Sequence, residues 1–221
     1  MSSEIELSDL MVSAYTYQKE GELSKAIQAW NALLKHPSID KDLGANAHLS
    51  LGNLHQLQGN DDLAIESMLN AIKANPNSAE AYFCLAYMEQ EKEVFDLAIE
   101  YFEKALALNN KDAGAFNNLG NCHDRLDQST EAINAYSQAI ALDAHYIAAI
   151  YNRGNAYMKK SEDELALKDL TQAIELDANF YQAYYNQSIL FKRMGKLKES
   201  EQASIKAKTL AQQELEHKTQ Q

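Results

Sequence analysis

Small side chains return through this chain every 34 residues, at Ala64, Ala98, Ala132 and Ala166. Four residues after each stands a bulky side chain, Met68, Phe102, Tyr136 and Leu170, and seven residues after each another alanine, Ala71, Ala105, Ala139 and Ala173. Upstream, Gly52, Ala86, Gly120, Gly154 and Ser188 mark a further small position. Positions i, i+4 and i+7 share one face of a helix. Small residues there let two backbones approach, and the bulky one fills the gap between them. A period of this length restricts the chain to a stack of copies of one supersecondary unit, none of which buries its apolar face alone.

Two prolines, eight glycines and abundant Ala, Leu, Glu, Gln and Lys make the copies helical. No stretch alternates β-branched and aromatic residues with period two, so no strands are expected. The pattern resembles the tetratricopeptide repeat, in which aromatic, Leu-Gly, aromatic, Ala, aromatic and Ala positions recur over one helix pair. The frame fits 7–40, 45–78, 79–112, 113–146, 147–180 and 181–214, with a short tail at 215–221. The resemblance implies an all-α, right-handed α-solenoid of six helix-turn-helix repeats forming a single domain over 1–221, closed by an extended C-terminal capping helix.

Local signals refine this. The third copy is expected to place its first helix from Glu80 to about Lys92 and its second from Asp96 to Leu108. Lys41-Asp42-Leu43-Gly44 is an insertion of about one turn that lengthens the next helix while nearly keeping its face. Asp61, Asp96, Asp127 and Ser161 read as N-caps of the second helices. Asn75-Pro76-Asn77 ends one repeat. In the last copy Ser200 and Ser204 replace packing residues, and the helix that follows is polar on its outer side, as suits an end cap.

The charge excludes one large class of function. Residues 1–180 carry 13 Lys/Arg against 28 Asp/Glu, and residues 181–221 carry 7 against 4. An overall charge of −12 disfavours binding to a phosphate backbone, so no nucleic-acid partner is expected. No apolar run approaches membrane-spanning length, and the leading MSSEIELSDL has neither a basic nor an apolar region of a secretory signal. With Cys84 and Cys122 forming no close pair, the expectation is free thiols in a cytoplasmic protein that contacts no membrane. His55 and His123 fall where other copies hold Tyr17, Tyr157 and Phe191, and His48 where others hold Tyr82 and Phe116. They substitute for packing aromatics. No ligand set, phosphate loop or nucleophile motif stands beside them, so neither catalysis nor a metal or cofactor is expected.

A polar stripe carries the functional signal. Asn118, Asn121 and Arg125 lie at i, i+3 and i+7, and Asn152, Asn155 and Lys159 repeat that spacing. Asn186, Ile189 and Arg193 repeat it with one change. Three successive first helices should therefore align a ladder of amides beside a row of cations. In the resembled family these helices line a concave groove that holds extended peptides, which adds Tyr15, Asn53, Phe83, Tyr87, Asn117, Tyr151, Tyr185 and Lys192 to the groove. An amide donates to C=O and accepts from N–H whatever the peptide's sequence. Equally, the asparagines could persist as scaffold residues that bond helix to helix. Arg153 and Gln187 replace the Leu51, Leu85 and Leu119 of earlier copies, either as bridges between helices or as marks of looser packing.

The family's two-carboxylate clamp for chaperone tails is incomplete. Asn121 and Asn152 match it, but Asn117, Gln182 and Asn186 stand where its cations belong. Arg125, Lys159 and Arg193 would still favour an acidic peptide. The resemblance thus implies a non-catalytic adaptor that binds an extended segment of another protein. A self-associating scaffold, hence a homo-oligomer, and a chaperone for a secreted client are the alternatives.

Overall fold

The computed structural model describes residues 6–219; the leading five residues of the acidic N-terminal segment and the last two of the tail lie outside them. The described secondary structure is helical throughout, twelve α-helices in all. The chain forms two compact units, Met1–Asn110 and Lys111–Gln221. Each is a set of three helical hairpins, whose first and second helices we call A and B.

The first unit pairs α1 (Leu7–Lys19) with α2 (Leu23–Leu34), α3 (Lys41–Leu57) with α4 (Asp61–Ala74), and α5 (Ala79–Glu91) with α6 (Phe95–Leu108). Here α2 packs on both α1 and α3, and α4 on both α3 and α5. Helices of this length are marginal in isolation, so these interfaces hold them. Trp30 is fully buried, its Nε1 donating to Gln18 Oε1 at 3.0 Å and its ring meeting Tyr15 edge-on at 4.9 Å. The inserted turn extends α3 to 17 residues, against 13 in α1 and α5, and Asp40 caps it by accepting from Leu43 N at 2.7 Å. The third hairpin begins and ends within a residue of the expected bounds.

The second unit pairs α7 (Ala113–Arg125) with α8 (Ser129–Leu142), α9 (Ile147–Lys159) with α10 (Asp163–Leu176), and α11 (Tyr181–Arg193) with α12 (Leu197–Thr219). The Leu-Gly pair of α7 serves close packing: a Cβ on Gly120 would lie 2.5 Å from the Tyr136 ring of α8. The 23-residue α12 buries only Ala203, Ala207 and Leu210, and its last turns are exposed on all sides, as an end cap requires.

One local expectation is corrected. Asp127 and Ser161 do not cap B helices; they occupy a left-handed turn position at φ 58° and 59°, shared with Glu93 at 60° and with Gly21, Gly59 and Gly195. Asp61 and Asp96 sit inside the first turns of α4 and α6, where a carboxylate complements the helix dipole. The N-cap residues are Asn60, Val94, Gln128 and Glu162, none with a side-chain cap bond. Backbone geometry explains this. Each of those four residues donates its N–H at 2.9 Å to a carbonyl near the end of the preceding A helix, at His55, Glu89, His123 and Tyr157. That closes the A–B turn without a side chain. Side-chain caps appear at A helices instead, where Asp40, Ser78 and Asp112 accept from Leu43, Ala81 and Ala115 N. Asn75, Asp143 and Asp177 bond the backbone two residues on and so end α4, α8 and α10.

Candidate functional site: the A-helix face of the second unit

In the second unit α9 touches both α7 and α11, so three A helices lie side by side. Their polar stripes meet through a ladder of amides. Asn152 Nδ2 donates to Asn121 Oδ1 at 3.0 Å and to Asn117 Oδ1 at 3.3 Å. One helix on, Asn186 Nδ2 donates to Asn155 Oδ1 at 2.6 Å and to the Tyr151 hydroxyl at 3.1 Å. Tyr136 of α8 donates its hydroxyl to Asn121 Oδ1 at 3.0 Å, which fills that oxygen. Asn118 accepts from Asn117 Nδ2 at 3.4 Å. The spacing is systematic, each bond joining residues 31 or 35 apart.

The asparagines therefore hold the A helices in register. A peptide cannot use the Nδ2 protons of Asn152 and Asn186, because both amides are already donating twice. What remains is the Nδ2 of Asn121 and Asn155 as donors and the Oδ1 of Asn152 and Asn186 as acceptors. Asn117 differs from its expected place in the groove: it is buried, consumed as a ladder partner.

The cation row is also engaged. Lys159 Nζ lies 2.8 Å from Asp124 Oδ1, and Arg193 Nη2 lies 2.8 Å from Asp163 Oδ1 in an ion pair not aligned as a hydrogen bond, while its Nη1 donates to Met158 O at 3.2 Å. Arg125 is exposed at the end of α7. Tyr185 is 57% exposed and Lys192 is exposed beside Arg193, so these two project most freely from the face. Tyr151 is half-buried, its ring 4.7 Å from Phe180.

Asn53, Phe83 and Tyr87 stand in the first unit. Asn53 Oδ1 accepts from Cys84 Sγ at 3.6 Å, the same 31-residue link with a thiol in place of an amide. Phe83 packs edge-on against Phe102 at 5.7 Å, so its ring serves its own hairpin. Tyr87 is partly exposed.

Arg153 is a bridge. Its Nε and Nη2 donate to both carboxylate oxygens of Asp169 at 2.7 and 2.8 Å, its Nη1 donates to Ser137 Oγ at 3.1 Å, and its guanidinium stands 5.9 Å from the Tyr157 ring centre. It thus ties α9 to α8 and α10, with Asp169 only 2% exposed, and the hydrogen bonds it donates to Asp169 push the Arg153 guanidinium pKa further up. The unforeseen members of the site are Tyr136 and Asp124. Their signal was available in the sequence: Asp124 stands 35 residues before Lys159, and Tyr136 lies on the hairpin partner of the helix that carries Asn121.

Reactive chemistry is muted. Burial pushes the Cys84 thiol up to about 11 and the Cys122 thiol up to about 12, so both are protonated at neutral pH. His123 Nδ1 bonds Gln128 Oε1 at 2.6 Å. Among the described residues, no group of three or more His, Cys, Asp or Glu could hold a metal ion, and no helix is long and apolar enough to cross a membrane.

Helical hairpins repeated in sequence, with a polar A-helix face aligned across the three of the second unit, define a helical-repeat scaffold of the kind that binds other proteins. The chain belongs to the tetratricopeptide repeat family. Tetratricopeptide repeat models match residues 12–79, 79–112, 101–134 and 147–180, and a TPR repeat model matches 125–161. Among solved structures it is similar to MamA (26% identity, TM-score 0.73, covering 75% of this chain and 97% of that one). It is also similar in fold to YrrB, described as a TPR protein with an unusual peptide-binding site (22% identity, TM-score 0.72, 82% and 92% covered). A third likeness is PilF of Pseudomonas aeruginosa (16% identity, TM-score 0.72, 92% and 91% covered). No curated protein matches the chain by sequence. The fold is that of a protein–protein interaction module.

Proposed function

We propose that the chain is a non-catalytic adaptor that holds an extended segment of a partner protein along α7, α9 and α11. The observation that carries this reading is the set of atoms the ladder leaves over. Asn121 and Asn155 offer donors, and Asn152 and Asn186 offer acceptors, on one face. An extended backbone presents C=O and N–H groups in alternation and suits such a row. Because the amides are already fixed to one another, they lose little freedom on binding.

Magnitudes set what else is needed. Four such bonds at about 1 kcal/mol each give roughly 4, against ~8 kcal/mol for a micromolar complex. Burial of an exposed Tyr185 ring would supply about 2 more. An acidic residue near Lys192 fits the remainder, since Lys159 and Arg193 are already paired internally. The likeness in fold to YrrB, described as having a peptide-binding site, supports this reading. The protonated thiols, Cys84 half-buried and Cys122 buried, suit a reducing compartment such as the cytoplasm.

A photo-crosslinking residue in place of Tyr185 tests this in the native cell. The expected result is one covalent partner, captured through a short unstructured segment and lost when the same group replaces exposed Gln138 on α8. Equal capture from both positions would contradict the reading.

A further inference from the structure

One repeat after Arg153, the same place in the fold is empty. Position by position, 34 residues on, Gln187 stands where Arg153 does, Ala203 where Asp169 does, and Phe191 where Tyr157 does. Gln187 reaches only α10, its Nε2 donating to Thr171 Oγ1 at 2.9 Å. Toward α12 the shorter side chains leave a solvent-open cavity of about 350 Å³ at the surface, lined by Tyr184, Gln187, Phe191, Ala203, Glu199 and Lys206 among others. Gln187 is only 8% exposed, and its Oε1 is the acceptor left unengaged at that cavity.

We infer that this cavity between α11 and α12 is a docking site for an arginine side chain of a partner protein. The internal precedent fixes the chemistry. In the fifth repeat a guanidinium is held by the Asp169 carboxylate, the Ser137 hydroxyl and the Tyr157 ring. In the sixth, Glu199 supplies the carboxylate, Gln187 Oε1 the neutral acceptor, and Phe191 and Tyr184 the rings. The volume exceeds that of a guanidinium with its stem, so the side chain enters without displacing the helices. Lys206 is the opposing charge at the rim; it is exposed, and its flexible stem lets the ammonium turn into water when a guanidinium enters. This site is separate from the A-helix face, and its test does not depend on a ligand there.

The probe is N-acetyl-arginine methylamide, titrated into the whole chain and followed by two-dimensional NMR, with the citrulline analogue as the uncharged control. The expected shifts cluster at Tyr184, Gln187, Phe191 and Ala203, with citrulline at least tenfold weaker. Lys206→Ala should tighten binding and Glu199→Gln should weaken it. The double variant Gln187→Arg with Ala203→Asp should rebuild the fifth-repeat bridge, raise the melting temperature and abolish the shifts. Shifts of equal size with citrulline, shifts spread over surface carboxylates, or binding that survives the double variant would overturn the assignment. Tighter binding of free arginine than of the capped form would overturn the protein side chain as its source.

Discussion

Asn152 and Asn121, 31 residues apart on neighbouring A helices, are joined by a 3.0 Å bond from Nδ2 to Oδ1. The bond makes the asparagine a strut. It fixes α9 against α7 and leaves the oxygen of Asn152 and the Nδ2 of Asn121 unused. Removing Asn152 therefore cannot probe binding alone. Asn152→Ala should cost the second unit about 1–2 kcal/mol, because it takes one partner from each of two bonds. Asn118→Ala, which loses a single 3.4 Å contact, should cost under about 0.5 kcal/mol. Urea unfolding of the two variants checks the order.

The close approach of A and B helices makes a graded prediction. Gly120→Ala would put a methyl 2.5 Å from the rigid Tyr136 ring and should cost about 2–3 kcal/mol. Gly52→Ala meets the flexible end of Met68 at 2.6 Å and should cost less. Gly154→Ala, with Asp169 Cβ at 3.3 Å, should be the mildest of the three. Thermal denaturation ranks them.

The Arg153–Asp169 pair should respond to exchange with its neighbours. Arg153→Leu alone leaves a carboxylate that is 2% exposed without its cation and should cost about 3 kcal/mol or more. Arg153→Leu with Asp169→Ala reproduces the Leu119 and Ala135 pairing of the fourth repeat and should recover most of that loss. A double-mutant cycle in denaturant measures the coupling.

Ser161 at φ 59° is held in a conformation that favours glycine. Ser161→Gly should stabilise the second unit by about 1 kcal/mol, and Asp127→Gly by less, since aspartate tolerates this region better. A fall in stability in either variant would mean the side chain supports the turn.

These predictions separate what could be read along the chain from what could not. The 34-residue frame, the longer α3 and the polar outer side of α12 follow from residue type and spacing, because each depends on packing within one repeat. The caps misled because Asp127 and Ser161 look like capping residues, while the turn is closed by backbone bonds that leave no mark in the side chains. The internal pairing of Lys159 and Arg193 was hidden for a related reason. Their partners Asp124 and Asp163 lie off the stripe, one on the previous A helix and one at the start of the B helix. For the asparagines the sequence left two alternatives, peptide contact or bonding from helix to helix, and the donor directions show that both Nδ2 protons of Asn152 and Asn186 are used between helices.

Acid should weaken the first unit through His48, whose pKa burial pushes below its ordinary 6.5. The unfolded chain then binds the proton more readily than the folded one, so stability is full above about 6.5 and falls as pH drops through that value toward the folded pKa. His48→Phe, the side chain of the equivalent Phe116, should flatten this part of the profile. The only tryptophan, Trp30, is buried in the same unit and reports the transition by fluorescence.

The central claim is that the A-helix face of the second unit binds an extended segment. It is tested best by residues that project from that face without holding the ladder. A peptide selected from a displayed random library against the whole chain, measured by calorimetry, should bind the Tyr185→Ala, Lys192→Ala double variant at least about tenfold more weakly, a loss of roughly 1.4 kcal/mol. The melting temperature of that variant should stay unchanged. An unchanged Kd, with the fold intact, would contradict the account.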